Sequence, residues 1–89
     1  MLQVLSMAGN QFTGSLAPLE SCTALRDLDL SCNQLTGSLE PLQGCTALHE
    51  LDLYGNKLSG SLEPLQLSGI MLQLTGFDLR GNQLTAGGL

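Results

Sequence analysis

Apolar residues fall along this chain in short clusters that return at a fixed interval. Leu25, Leu28 and Leu30 come back 23 residues later as Leu48, Leu51 and Leu53. After a longer step of 26 they return as Leu74, Phe77 and Leu79. In each cluster the last two apolar positions bracket a single aspartate: Asp29, Asp52 or Asp78. Alternation of this kind predicts a short β-strand with one face buried and the other open. Leu2, Leu5 and Met7 make a weaker first copy.

The polar punctuation keeps the same interval. Asn recurs at 10, 33, 56 and 82, Gly at 14, 37 and 60, and Pro at 18, 41 and 64. An asparagine where a strand ends can bond backbone groups that the turn leaves unpaired. Glycine four residues further on, in Thr36-Gly37-Ser38 and its copies, allows a second bend. Proline in the returning stretch, as at Pro41, rules out a long regular helix and predicts turns or one short 3₁₀ segment.

The chain therefore divides into about three and a half units starting at Leu2, Leu25, Leu48 and Leu74, within a single domain over 1–89. One such unit cannot bury its own leucines. Stacked copies can, each ladder closing against the next at about 4.8 Å if the strands pair in parallel. The expected fold is a solenoid: short parallel strands on one face, turns and 3₁₀ segments on the other. The third unit carries three extra residues around Ile70, Met71 and Leu72. These predict a loop or short helix, which either repacks locally or forms a small apolar contact patch.

Composition narrows the function. Arg26, Lys57 and Arg80 are the only basic residues and the formal charge is −5, so no phosphate-neutralising patch can form and nucleic acid is excluded. No stretch is long and apolar enough for membrane insertion. Three cysteines, no Cys-x-x-Cys spacing, no signal segment and no Asn-x-Ser/Thr sequon favour a reduced, cytoplasmic setting. Neither terminal unit has a polar cap, which predicts an uncapped module able to self-associate, or a piece of a longer chain.

The wording LxxLxLxxNxL at 25–35, 48–58 and 74–84, with LQVLSMAGNQF at 2–12, resembles the leucine-rich repeat family across essentially the whole chain. The following LTGSL at 35–39 is similar to the plant-type subclass, although Pro stands one place later and the unit is one residue shorter. Leu-x-Pro-Leu also resembles bacterial internalin-like repeats, so the subclass stays open. The resemblance implies a curved solenoid with a concave strand face and work in protein recognition. It implies no catalytic residue and no cofactor.

Residues flanking the inward leucines should face the open side of the strands. Five of the eight acidic residues fall there: Asp27, Asp29, Glu50, Asp52 and Asp78, with Tyr54 and Arg80 at the edge. One reading is an acidic stripe for a basic peptide or protein surface. The other is ordinary strand wording, in which Asp keeps an exposed sheet soluble. No metal is expected, since a flat column of carboxylates offers Ca²⁺ too few convergent oxygens. Asn10, Asn33, Asn56 and Asn82 read as a structural ladder. Cys22 and Cys45 occupy equivalent places in SCTAL and GCTAL and read as a stacked thiol pair, with a disulfide as the alternative. Cys32 replaces the glycine of the other units and should be exposed. The one histidine, His49, lacks a nucleophile and an orienting group, so no enzyme is expected. Three readings follow: a protein-binding module acting through its acidic face, a fragment of a receptor-like kinase ectodomain (and then extracellular), or a spacer self-associating through its ends.

Overall fold

In the computed structural model residues 2–85 are described. Strands β1 (Val4–Ser6), β3 (Asp27–Asp29), β5 (Glu50–Asp52) and β7 (Gly76–Asp78) form one parallel sheet in that order. Its register is the repeat register: Leu5 lies beside Leu28, Leu28 beside Leu51, and Leu51 beside Phe77. The central leucines of β3 and β5 are buried, as alternation requires. Phe77, on the edge strand of the described sheet, is 54% exposed.

A second parallel sheet follows the asparagine of each unit. It comprises β2 (Thr13–Gly14), β4 (Gln34–Gly37), β6 (Lys57–Ser61) and β8 (Gln83–Thr85). The repeat pattern predicts only a bend here. The segment is extended because Leu35 and Leu58 bury alternately with the polar residues beside them. Its register is sheared, Thr13 pairing with Gln34 and Thr36 with Lys57, so partners stand two residues short of the repeat. An even shear keeps every side chain on its own face of the sheet.

On the return, Ala17–Leu19 and Glu40–Leu42 form the expected 3₁₀ turns, each opened by its proline. Ser15 and Ser38 accept the first free N–H groups, from Ala17 and Glu40. The third unit departs from this. Its extra residues give two short helices, α1 (Glu63–Leu67) and α2 (Ile70–Gln73), joined through Gly69 at φ 81°. Ile70 takes the buried place that Cys45 holds one unit earlier, its carbonyl receiving Leu74 N–H as that of Cys45 receives Leu48 N–H. Leu67 and Leu72 point outward at 84% and 92% exposure, so the insertion both repacks the core and leaves two leucines on the surface.

The core is a leucine stack running through the units, from Leu16 and Leu25 to Leu53, Leu58 and Leu65. At roughly 1.5–3 kcal/mol per fully buried leucine, this burial is the main force opposing chain entropy. The turn geometry tolerates few exceptions. Gly81 has φ 76°, and a Cβ there would lie 3.0 Å from the Gly55 backbone nitrogen. Cys32 occupies the same repeat position with φ 57°, a left-handed conformation unusual for a residue with a Cβ.

Candidate partner-binding face

Two columns of side chains stand on the open face of the first sheet. Register places Val4, Asp27, Glu50 and Gly76 in one, and Ser6, Asp29, Asp52 and Asp78 in the other. The acidic residues singled out by the strand pattern thus become neighbours across adjacent rungs. Four of their carboxylates, from Asp27, Asp29, Glu50 and Asp52, border a shallow hollow of about 290 Å³ that Val4 and Ser6 complete. In water, neighbouring charges about 5 Å apart repel by only about 0.8 kcal/mol, so the stack tolerates them without a counterion.

Three of the aspartates also have a backbone task. Asp29 Oδ1 accepts Ser31 N–H at 3.0 Å, Asp52 Oδ1 accepts Tyr54 N–H at 3.0 Å, and Asp78 Oδ1 accepts Arg80 N–H at 3.1 Å. The reason lies in the asparagines. Asn33, Asn56 and Asn82 each donate to a carbonyl of the preceding unit, those of Met7, Leu30 and Leu53. Where the side-chain amide takes that carbonyl, the N–H two residues after the aspartate turns to the carboxylate instead. Aspartate recurs in these strands as a turn acceptor, a stronger cause than solubility alone.

The edge residues form a separate group. Arg80 pairs with Asp78 through Nη2 to Oδ2 at 2.9 Å and Nε to Oδ1 at 3.0 Å. Its guanidinium also sits 5.7 Å from the centre of the Tyr54 ring. The hydrogen bonds from Arg80 hold the Asp78 carboxyl below its ordinary range, and Asp78 in turn raises Arg80. Asp78 is therefore neutralised within the chain. Among the described residues no cation pairs with Asp27, Asp29, Glu50 or Asp52.

The asparagine ladder is equally definite. Asn33 and Asn56 are buried, and the Oδ1 of Asn33 accepts the N–H groups of both Asn10 and Phe12. Asn10, on the first unit, is exposed, and its side-chain amide donates within its own turn, to the Ala8 carbonyl. His49 is held by its Nδ1 to the Ala47 carbonyl at 2.7 Å, not by Cys45. Among the described residues no three His, Cys, Asp or Glu side chains converge as metal ligands would. None of the helices among them is long and apolar enough to cross a membrane.

Parallel coils, each supplying the next with core leucines and an asparagine rung, define a solenoid repeat protein. The chain belongs to the leucine-rich repeat family: the model for leucine-rich repeats in two copies matches residues 1–37 and 25–67. Among solved structures it is similar to the leucine-rich-repeat ectodomain of the receptor kinase SOBIR1 from Arabidopsis thaliana. That likeness has 35% identity and a TM-score of 0.79 over 93% of this chain and 46% of the other. A Pollen Receptor Kinase 3 structure is similar at 33% identity and a TM-score of 0.76, over 99% of this chain and 42% of the other. The chain thus spans less than half the length of either structure. No curated protein sequence matches it.

Proposed function

We propose that this chain is a protein-binding leucine-rich-repeat segment that engages a basic peptide or protein surface through its first sheet. The observation that carries the reading is the set of Asp27, Asp29, Glu50 and Asp52. These four carboxylates share adjacent rungs of an open face, and none of them forms an ion pair among the described residues, Arg80 being paired with Asp78 and acting on Asp52 only at longer range. A row of lysine or arginine side chains laid across the rungs would meet complementary charge at each. Tyr54, 44% exposed beside the acidic rungs, offers an aromatic surface for a partner's arginine or apolar side chain. The reading assigns the chain no catalytic step and no cofactor.

A second reading concerns the setting. Likeness to receptor-kinase ectodomains supports this chain as part of such an ectodomain, and so favours the extracellular side over the cytoplasmic one. It is compatible with partner binding and differs from it in what surrounds the segment.

The test must remove charge without removing the turn acceptors. Replacing aspartate by serine confounds the two. Asp27→Asn, Asp29→Asn, Glu50→Gln and Asp52→Asn together keep a side-chain oxygen at every position. Asp29→Asn creates an Asn-Leu-Ser sequon, so a host without N-glycosylation is required. The chain and its neutral variant are titrated with a set of Lys/Arg-rich peptides at several salt concentrations. Binding by the chain that weakens with salt, and falls roughly tenfold or more in the folded variant, supports the reading. Equal binding by both, or none by the chain, sinks it in favour of a spacer.

A further inference from the structure

Cys22 and Cys45 stand at the same place in consecutive units, each five residues before its strand, β3 or β5. Each donates its N–H to the carbonyl three residues earlier, Leu19 for Cys22 and Leu42 for Cys45, both at 2.9 Å. The Cys45 sulfur crosses to the neighbouring coil, where its thiol meets that same Leu19 carbonyl at 3.6 Å. One oxygen thus receives the backbone of one cysteine and the thiol of the other. The coils are close here: a Cβ on Gly44 would lie 3.9 Å from the Glu20 carbonyl. A disulfide needs Cα atoms about 4.4–6.8 Å apart, and the shared Leu19 carbonyl together with the Gly44–Glu20 approach brings the two coils into contact at this point. The third unit puts Ile70 in the equivalent place, so the sulfur ladder consists of this pair.

We infer that Cys22 and Cys45 form a reversible disulfide clamp between the first two coils, closed by a small-molecule disulfide such as oxidised glutathione. Cys22 is half-buried and Cys45 fully buried, which sets the order of events. The Cys22 thiolate attacks the small disulfide, forming a mixed disulfide and releasing one thiolate. Cys45 then loses its proton to solvent and attacks the Cys22 sulfur, releasing the second. Two protein thiols are oxidised and one small disulfide is reduced to two thiols. Burial, and then the neighbouring Cys22, raise the Cys45 thiol above its ordinary range, consistent with Cys45 acting second. Closed, the bond ties together the coils that carry Asp27, Asp29, Glu50 and Asp52, and holds the spacing of those rungs. The inference does not depend on what that face binds.

The experiment uses the full chain with Cys32→Gly, which removes the exposed third thiol and restores the glycine of the other units. The protein is equilibrated in reduced and oxidised glutathione mixtures, from fully reducing to fully oxidising. Trypsin cuts after Arg26 and Lys57, so Cys22 and Cys45 fall on separate peptides. The expected result is a monomer lighter by two hydrogens, whose peptides 1–26 and 27–57 are joined. Its Tm should rise by roughly 10 °C and return on reduction. Folded chain carrying only glutathione on Cys22, or covalent dimers, or two unreacted thiols in the oxidising mixture, overturns the inference. A Cys22→Ser version should show neither the mass loss nor the Tm rise; if it shows either, the pair is not the source.

Discussion

Asp78 has two roles at once, as turn acceptor for the Arg80 N–H and as ion-pair partner of the Arg80 guanidinium. Hydrogen bonding by the Arg80 side chain is the main cause of its lowered pKa, followed by the Arg80 backbone N–H. A carboxyl depressed in the folded state adds stability above its unfolded value and loses it as pH falls through the folded one. Its contribution is therefore complete near neutral pH and disappears in the acid range below the ordinary value of 3.8. Arg80→Met should move the Asp78 carboxyl back up toward that value while leaving the backbone bond in place. Carbon-detected NMR titration of the Asp78 side chain measures this directly, and an unchanged titration midpoint would contradict the side-chain origin. Recurrence of aspartate at 29, 52 and 78 was plain from the sequence, but its cause was not. The Asp-to-backbone bond arises because an asparagine from the same unit takes a carbonyl in the unit before, and chain order alone does not display that.

Among the elements, the asparagine ladder joins the two sheets. Asn56 accepts Leu35 N–H at 3.1 Å and donates to the Leu30 and Leu53 carbonyls, both at 3.0 Å. Each buried backbone group left unpaired costs about 1–3 kcal/mol, so Asn56→Ala should destabilise by roughly 3–5 kcal/mol. Asn82→Ala should cost about half as much, because its site is half-buried and water can replace part of the network. Urea unfolding of the two variants tests the ordering, and equal midpoints would refute it. The ladder itself was legible from spacing. The second sheet was not, because Thr-Gly-Ser and Ser-Gly-Ser read as turn wording. Those residues extend only because the neighbouring coil offers a sheared row of backbone partners. The third unit shows the same limit. Its extra residues marked a helix or loop, yet that Ile70 would replace a cysteine in the core while Leu72 faces solvent depends on how the added turn winds.

At the scale of the molecule, each coil contacts only its neighbours, so stability is a sum of unit and interface terms. The second and third coils have a neighbour on each side and bury the central leucines of their strands, whereas the central residues of β1 and β7, Leu5 and Phe77, are half-buried and exposed respectively. Backbone hydrogen exchange should record this gradient. The amides of Leu30 and Leu53, bonded to the Asp52 and Asp78 carbonyls, should exchange at least about tenfold more slowly than those of Met7 and Gly9. Uniform protection along the chain would instead indicate one cooperative unit with no fraying end.

The sequence by itself determined the repeat length, the inward leucines, the first sheet and the asparagine ladder, because one local pattern written several times leaves little choice but stacking. It also determined which residues share the open face, since alternation assigns a side to each. What only the tertiary structure decided are relations between coils. These are the shear of the second sheet, the carbonyl shared by Cys22 and Cys45, and the division of the acidic face into an internally paired Asp78 and four carboxylates that form no ion pair among the described residues. Each depends on distances between residues some twenty positions apart, and a periodic sequence encodes that such residues meet without encoding which of their atoms do.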